Sequence, residues 1–236
     1  MNISENELKP PKKNLEDTSY EVTKFLGSRI PVIGKTIGDL FDILITPPIE
    51  RRRDEWRNKV SETLKELIDI RQIDLKNLSD NESFIDTVLH TSLIAVRTSQ
   101  TEKKTALRNA ISNAAINPSL DITQIELFLH WIDIFTVWHL KILKFFQSPI
   151  QWYMQNDKHF TERESGSLNV ILITAFPELK DKSTVYNQIF KDLITYGLIG
   201  EIKLGAMISE NGLKEKRSTD LGDEFLKFIE EPTSKV

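Results

Sequence analysis

From residue 33 to residue 147 apolar side chains recur every three or four positions, and no segment of the first 150 residues sustains a period of two. A repeat near 3.6 is that of an α-helix with one buried face, so this stretch is expected to fold as packed helices. Prolines punctuate it. Ile33, Ile37, Leu40 and Leu44 form the stripe of a first amphipathic helix, with an end expected at Pro47-Pro48, where two amides are missing. Glu50 to Ile70 follows, with Trp56, Val60, Leu64 and Leu67 on its inner face. Ser79-Asp80-Asn81 supplies N-cap candidates for a helix that buries Ile85, Val88, Leu89 and Ala95. Thr101 to Ala115 is a further helix, stopped by Asn117-Pro118. Asp121 and Thr136 open two more, and Ser148-Pro149 closes the set. Trp131, Trp138, Phe145 and Phe146 belong to the core on this reading.

The last third changes character. Ser167 to Phe176 reads as a helix, Ser183 or Thr184 caps a second one whose inner stripe is Val185, Ile189, Leu193 and Tyr196, and Gly197 sits where a helix end favours a left-handed residue. Ile202 to Ile208 and Leu213 to Ser218 read as two strands, joined at Asn211-Gly212, a strong short signal for a hairpin. Thr219 then caps a helix carrying Leu221, Phe225 and Ile229.

Over Ser165 to Ile229 the chain resembles the winged-helix family. The residues that carry the likeness are Tyr186-Asn-Gln-Ile-Phe-Lys-Asp-Leu-Ile-Thr-Tyr-Gly-Leu-Ile199, then the wing, then Thr219-Asp-Leu-Gly-Asp-Glu-Phe225. A broader likeness covers the layout: an apolar Gly-containing helix, a charged helix, a helical middle with Leu140 to Leu143, and a small winged-helix-like end. In that layout the chain is similar to bacterial abortive-infection proteins of the Abi-alpha type, which implies a place in phage defence. The expected architecture is therefore mainly α: a polar tail over 1–20, a helical domain over 21–150, and a small winged-helix α+β domain over 160–231.

Function divides on charge. A winged helix that reads DNA inserts the helix before the wing into the major groove. Its outward residues here are Thr184, Asn187, Gln188 and Lys191, and the wing offers Lys203, Lys214, Lys216 and Arg217 to phosphates. Yet residues 151–236 hold eleven Lys and Arg against fourteen Asp and Glu, a net of −3, and the whole chain is at −4. DNA readers normally carry net positive domains, because phosphate neutralisation supplies their affinity. The leading expectation is a non-enzymatic, cytoplasmic interaction or regulatory protein that uses its winged helix for protein contact or self-association. A DNA-binding regulator is the alternative. A third reading places Ile33, Ile37, Leu40 and Leu44, with the basic Arg51, Arg52 and Arg53, on a membrane surface or partner.

Chemistry finds little purchase. The chain has no cysteine, which removes thiolate nucleophiles, disulfides and Cys-ligated metals. Gly34-Lys35-Thr36 lacks the glycine five residues before Gly34 that a phosphate-binding loop needs, so no nucleotide is expected. Glu126, His130 and Asp133 share a helix face, as do Glu82, Asp86 and His90, but neither set has Glu-x-x-His spacing. No metal and no cofactor are expected.

Overall fold

The computed structural model describes residues 37–117, 120–158, 160 and 165–232, and for residues 37–44 the backbone alone. The expected tail, Ile33, Gly34-Lys35-Thr36 and Pro118 lie outside the described residues, as do the side chains of Ile37, Leu40 and Leu44. The chain divides into two units, Met1–Asn58 and Lys59–Val236.

The first helix corrects the sequence reading. Helix α1 spans Ile37–Asp69 and contains both Pro47 and Pro48. Proline's fixed φ suits a helix, and the two missing donors leave only the carbonyls of Ile43 and Leu44 without helical partners. Tracts that are helical on both sides carry the chain through. The part of α1 within the second unit buries Thr63 and Leu67.

After it come α2 (Leu75–Ser79), α3 (Glu82–Arg97), α4 (Thr101–Ile116), α5 (Ile122–Ile134), α6 (Val137–Gln147) and α7 (Pro149–Gln155). The caps expected at Asn81 and Asp121 are made. The Asn81 side chain accepts from the Phe84 amide at 3.1 Å, and Asp121 accepts from the amides of Thr123 and Gln124. Pro149 does not close the helical part; it opens α7 at its first position, where a missing amide removes nothing from the helix. Trp131, Phe145 and Phe146 are buried, and Trp138 lies edge-on to Phe176 at 5.5 Å.

Strand β1 (Ser165–Ser167), α8 (Leu168–Ala175), a 3-10 turn (Pro177–Leu179) and α9 (Ser183–Thr195) follow. Gly197 has the expected positive φ, 73°. Beyond it the expected hairpin is absent. Strand β2 is Met207–Ser209, and its antiparallel partner is β1, with Ser165 opposite Ser209 and Ser167 opposite Met207. Asn211 and Gly212 lie inside a short helix, α10 (Glu210–Lys214), whose cap is Ser209. The reason is steric. A Cβ on residue 212 would sit 2.2 Å from Ile208 Cγ2, so the glycine serves a close approach, and neither residue has the positive φ that a tight hairpin turn requires. A single bridge between Ile199 and Ser218 closes the excursion at its base.

Helix α11 (Asp220–Ile229) ends the fold. The Thr219 side chain accepts from the Gly222 amide at 3.0 Å, while the Thr219 amide donates to the Leu198 carbonyl at 3.0 Å. Gly222 is needed there, because a Cβ would stand 2.3 Å from the same Leu198 oxygen. The elements on either side of residues 150–160 share one core. α11 packs on α4 and α9 on α6, and Phe225 and Phe228 lie 5.5 and 5.4 Å from Phe128.

Candidate interaction surfaces

Helix α9 is capped by neither Ser183 nor Thr184, since its N-cap is Lys182; it buries Tyr186, Ile189, Phe190 and Leu193, leaves the expected core residues Val185 and Tyr196 exposed, and turns Thr184, Asn187, Gln188 and Lys191 to solvent together. That face carries an acid as well. Gln188 donates to Asp192 Oδ1 at 2.6 Å, and the other oxygen of Asp192 meets His139 Nε2 at 3.3 Å.

The cations expected on a wing are differently placed. Lys203 is exposed and, like Lys191, makes no ion pair among the described residues. Lys214 pairs with Glu210 and lies 5.7 Å over the Phe160 ring. Lys216 pairs with Asp223. Arg217, with only 16% of its side chain exposed, donates to the Gly212 carbonyl and meets Glu215 at 3.3 Å. Burial alone would raise the Asp223 pKa. Hydrogen bonds from Lys216, Ser218 and Gln147, with the Lys216 charge, outweigh burial and hold that carboxyl below its ordinary value. Three of these four cations thus answer carboxylates of their own fold, an arrangement that net sequence charge could not show.

Histidine and carboxylate do meet once in the core. The Thr136 amide donates to His139 Nδ1 at 3.2 Å, so the ring proton belongs on Nε2, toward Asp192. His139 stacks on Phe135 with centroids 4.7 Å apart, and burial lowers its pKa more than Asp192 raises it. Its Nδ1 lone pair is already shared by the amide and hydroxyl of Thr136, so the pair reads as a helix-capping device. Among the described residues no group of three or more His, Asp or Glu is placed to hold a metal ion.

Two surface features escaped the sequence reading. The first is an open groove of about 890 Å³ between α4, α6, α7 and α11, floored by Ala106, Leu140, Trp152, Phe176, Leu226 and Ile229. Its rim is bridged by Lys141 with Glu102 at 3.5 Å and by Lys144 with Glu230. Five separate segments build it, the four helices and Phe176 at the end of α8, so no local pattern announces it.

The second is on α3. Leu89, expected in the core, is 59% exposed, and Leu93 one turn on is 67% exposed. The inner face instead takes Phe84, Thr87, Thr91, Ile94 and Ala95. Both threonine hydroxyls donate to carbonyls of their own helix at 2.8 Å, to Ser83 and Thr87, so they enter the core already satisfied.

On α1, Arg51 meets Glu55 at 3.6 Å with both side chains largely exposed; Arg53 is exposed and Arg52 half-buried. No helix among the described residues is long and apolar enough to cross a membrane. In comparisons with known proteins, no family model, no curated protein and no solved structure matches this chain.

Proposed function

We propose that this chain is a non-enzymatic cytoplasmic interaction protein whose C-terminal elements, α8, α9, the segment carrying β2 and α10, and the closing α11, serve protein contact. The observation that carries this reading is the pairing of Lys214, Lys216 and Arg217 with Glu210, Asp223 and Glu215. A cation bound to a carboxylate of its own fold releases no DNA counterion until that pair is broken. Lys191 and Lys203 are left, and two phosphate contacts give a slope of log affinity against log salt of only about −1.8. The exposed leucines of α3 support a protein-facing role, and the Abi-alpha-like layout attaches that role to phage defence.

The exposed Thr184, Asn187, Gln188 and Lys191 favour a second reading, a DNA-binding regulator. A titration of the full chain with duplex DNA across salt separates the two. Protein contact predicts negligible binding even at about 20 mM salt, where attraction is least screened. A slope near −4.5, flattened when Lys214, Lys216 and Arg217 become Glu, establishes the DNA reading instead.

A further inference from the structure

The outward stripe of α3 is, in chain order, Glu82, Asp86, Leu89, Leu93 and Arg97, all exposed and spaced three or four residues apart. It lies opposite the buried Thr87 and Thr91. Scattered exposed leucines are ordinary on a protein surface. Here two occupy successive turns at the crest of a helix that keeps threonines inside, with acids at one end and a cation at the other.

That order is its own complement when reversed. If a second copy of α3 lies antiparallel about a two-fold axis, Leu89 meets the copy's Leu93 and Leu93 meets the copy's Leu89. Asp86 then comes within one residue of the copy's Arg97, and the symmetry repeats the pair on the other side. A parallel arrangement would set Asp86 against Asp86 and Arg97 against Arg97. Asp86 makes no ion pair among the described residues. Arg97 meets Asp133 of α5 at 2.8 Å, yet its side chain remains 64% exposed and open to a second carboxylate. Helix α5 packs beside α3 and itself exposes Leu127 and Ile134.

We infer that α3 is a self-association surface, through which two copies of the chain pair antiparallel by Leu89 and Leu93 with Asp86 and Arg97 as reciprocal charges. This rests on the protein-contact reading and names the partner as a second copy. The helix is sixteen residues, about 24 Å long, so the buried patch falls below the roughly 800 Å² per partner of a standard interface. A small patch of this kind is expected to give only a weak dimer.

Sedimentation equilibrium of the full chain from about 1 to about 300 µM tests it. The mass should rise from 27.3 kDa toward twice that value. Leu93→Glu should raise Kd at least about 30-fold with an unchanged thermal midpoint, because the residue touches little of its own fold. Asp86→Arg and Arg97→Asp should each weaken pairing about 5-fold, and the two together should restore it. A chain that stays monomeric at about 300 µM, a dimer indifferent to Leu93→Glu, or charge changes that add without rescue would each overturn the proposal. None of these outcomes touches the duplex titration, on which the parent reading stands or falls.

Discussion

Helices α3 and α4 are both sixteen residues long, adjacent in the chain and packed on each other, yet they solve burial in opposite ways. Helix α3 keeps one face inside and leaves leucines in water. Helix α4 is enclosed over most of its surface and takes Lys103, Asn109, Ser112 and Asn113 into the interior with Leu107, Ala110 and Ile111. The difference lies in where the polar groups find partners. The threonines of α3 use carbonyls of their own helix. The asparagines of α4 reach α11: Asn113 Nδ2 donates to the carbonyls of Lys227, Phe228 and Glu230 at 3.2, 2.9 and 2.8 Å, and Asn109 Nδ2 to that of Ile229 at 2.9 Å. The last carbonyls of a helix have no partner within it, so two side chains one turn apart on α4 supply an end cap for α11. Arg71, reaching the Pro232 carbonyl at 2.9 Å, secures the chain just beyond.

If the caps supplied by α4 hold the last helix down, Asn113→Ala should be the most damaging of the substitutions compared. It strips a donor from three carbonyls in a buried place and should cost about 2–3 kcal/mol, read as a lower urea midpoint at unchanged slope. Asn109→Ala removes one such partner and should cost about 1–2 kcal/mol. Equal losses from the two would break the idea that carbonyl count sets the cost. Thr91→Val on α3 is the counterpart, a buried polar group whose acceptor already serves its own helix. It should cost about 0–1 kcal/mol, and a loss as large as that of Asn113→Ala would erase the contrast between the helices.

A pH effect follows from the burial of His139. Lys103 donates to the Asp133 carbonyl at 2.8 Å, and both burial and the Lys103 charge disfavour protonation of His139 against the pull of Asp192. With the folded pKa below 6.5, the unfolded chain takes up a proton before the folded one as pH falls. Stability from this group is therefore complete above 6.5 and declines as pH drops through the folded pKa. Urea titrations at a series of pH values should show that decline, and His139→Gln should flatten it. The smallest effect belongs to the crest of α3, where Leu89→Ser and Leu93→Ser should each leave stability within about 0.5 kcal/mol. A larger loss would mean these leucines are packed against the rest of the chain.

What was legible in the residues was local. Asn81, Asp121 and Thr219 cap helices as expected because a capping side chain needs only the amides two or three residues ahead. Gly197 takes its left-handed turn because a helix end asks for it there. The Thr219 and Gly222 pair was visible as a motif, but its cause, the Leu198 carbonyl under the helix, was not. The candidate site was read less well. Spacing found the outward residues of α9, whereas the fates of Lys214, Lys216 and Arg217 were set by the helix that brings Glu210 beside Lys214, by Glu215 beside Arg217 and by Asp223 at the start of α11.

By itself the sequence determined that the chain is built mainly of helices, and it located most of their starts, because periodicity and caps act within a few residues. Only the tertiary structure decided which helix would be enclosed, which leucines would stay in water, and which strand would pair with β2. Asn-Gly at 211–212 lies in a helix because β1, some forty residues earlier, took the place of the expected return strand, and the close approach of Ile208 there then requires glycine at 212. Asparagine could enter the core of α4 because another helix ended beside it with open carbonyls. Such outcomes depend on partners distant in the chain, and the buried hydrogen bonds those partners supply set the free energy of each choice.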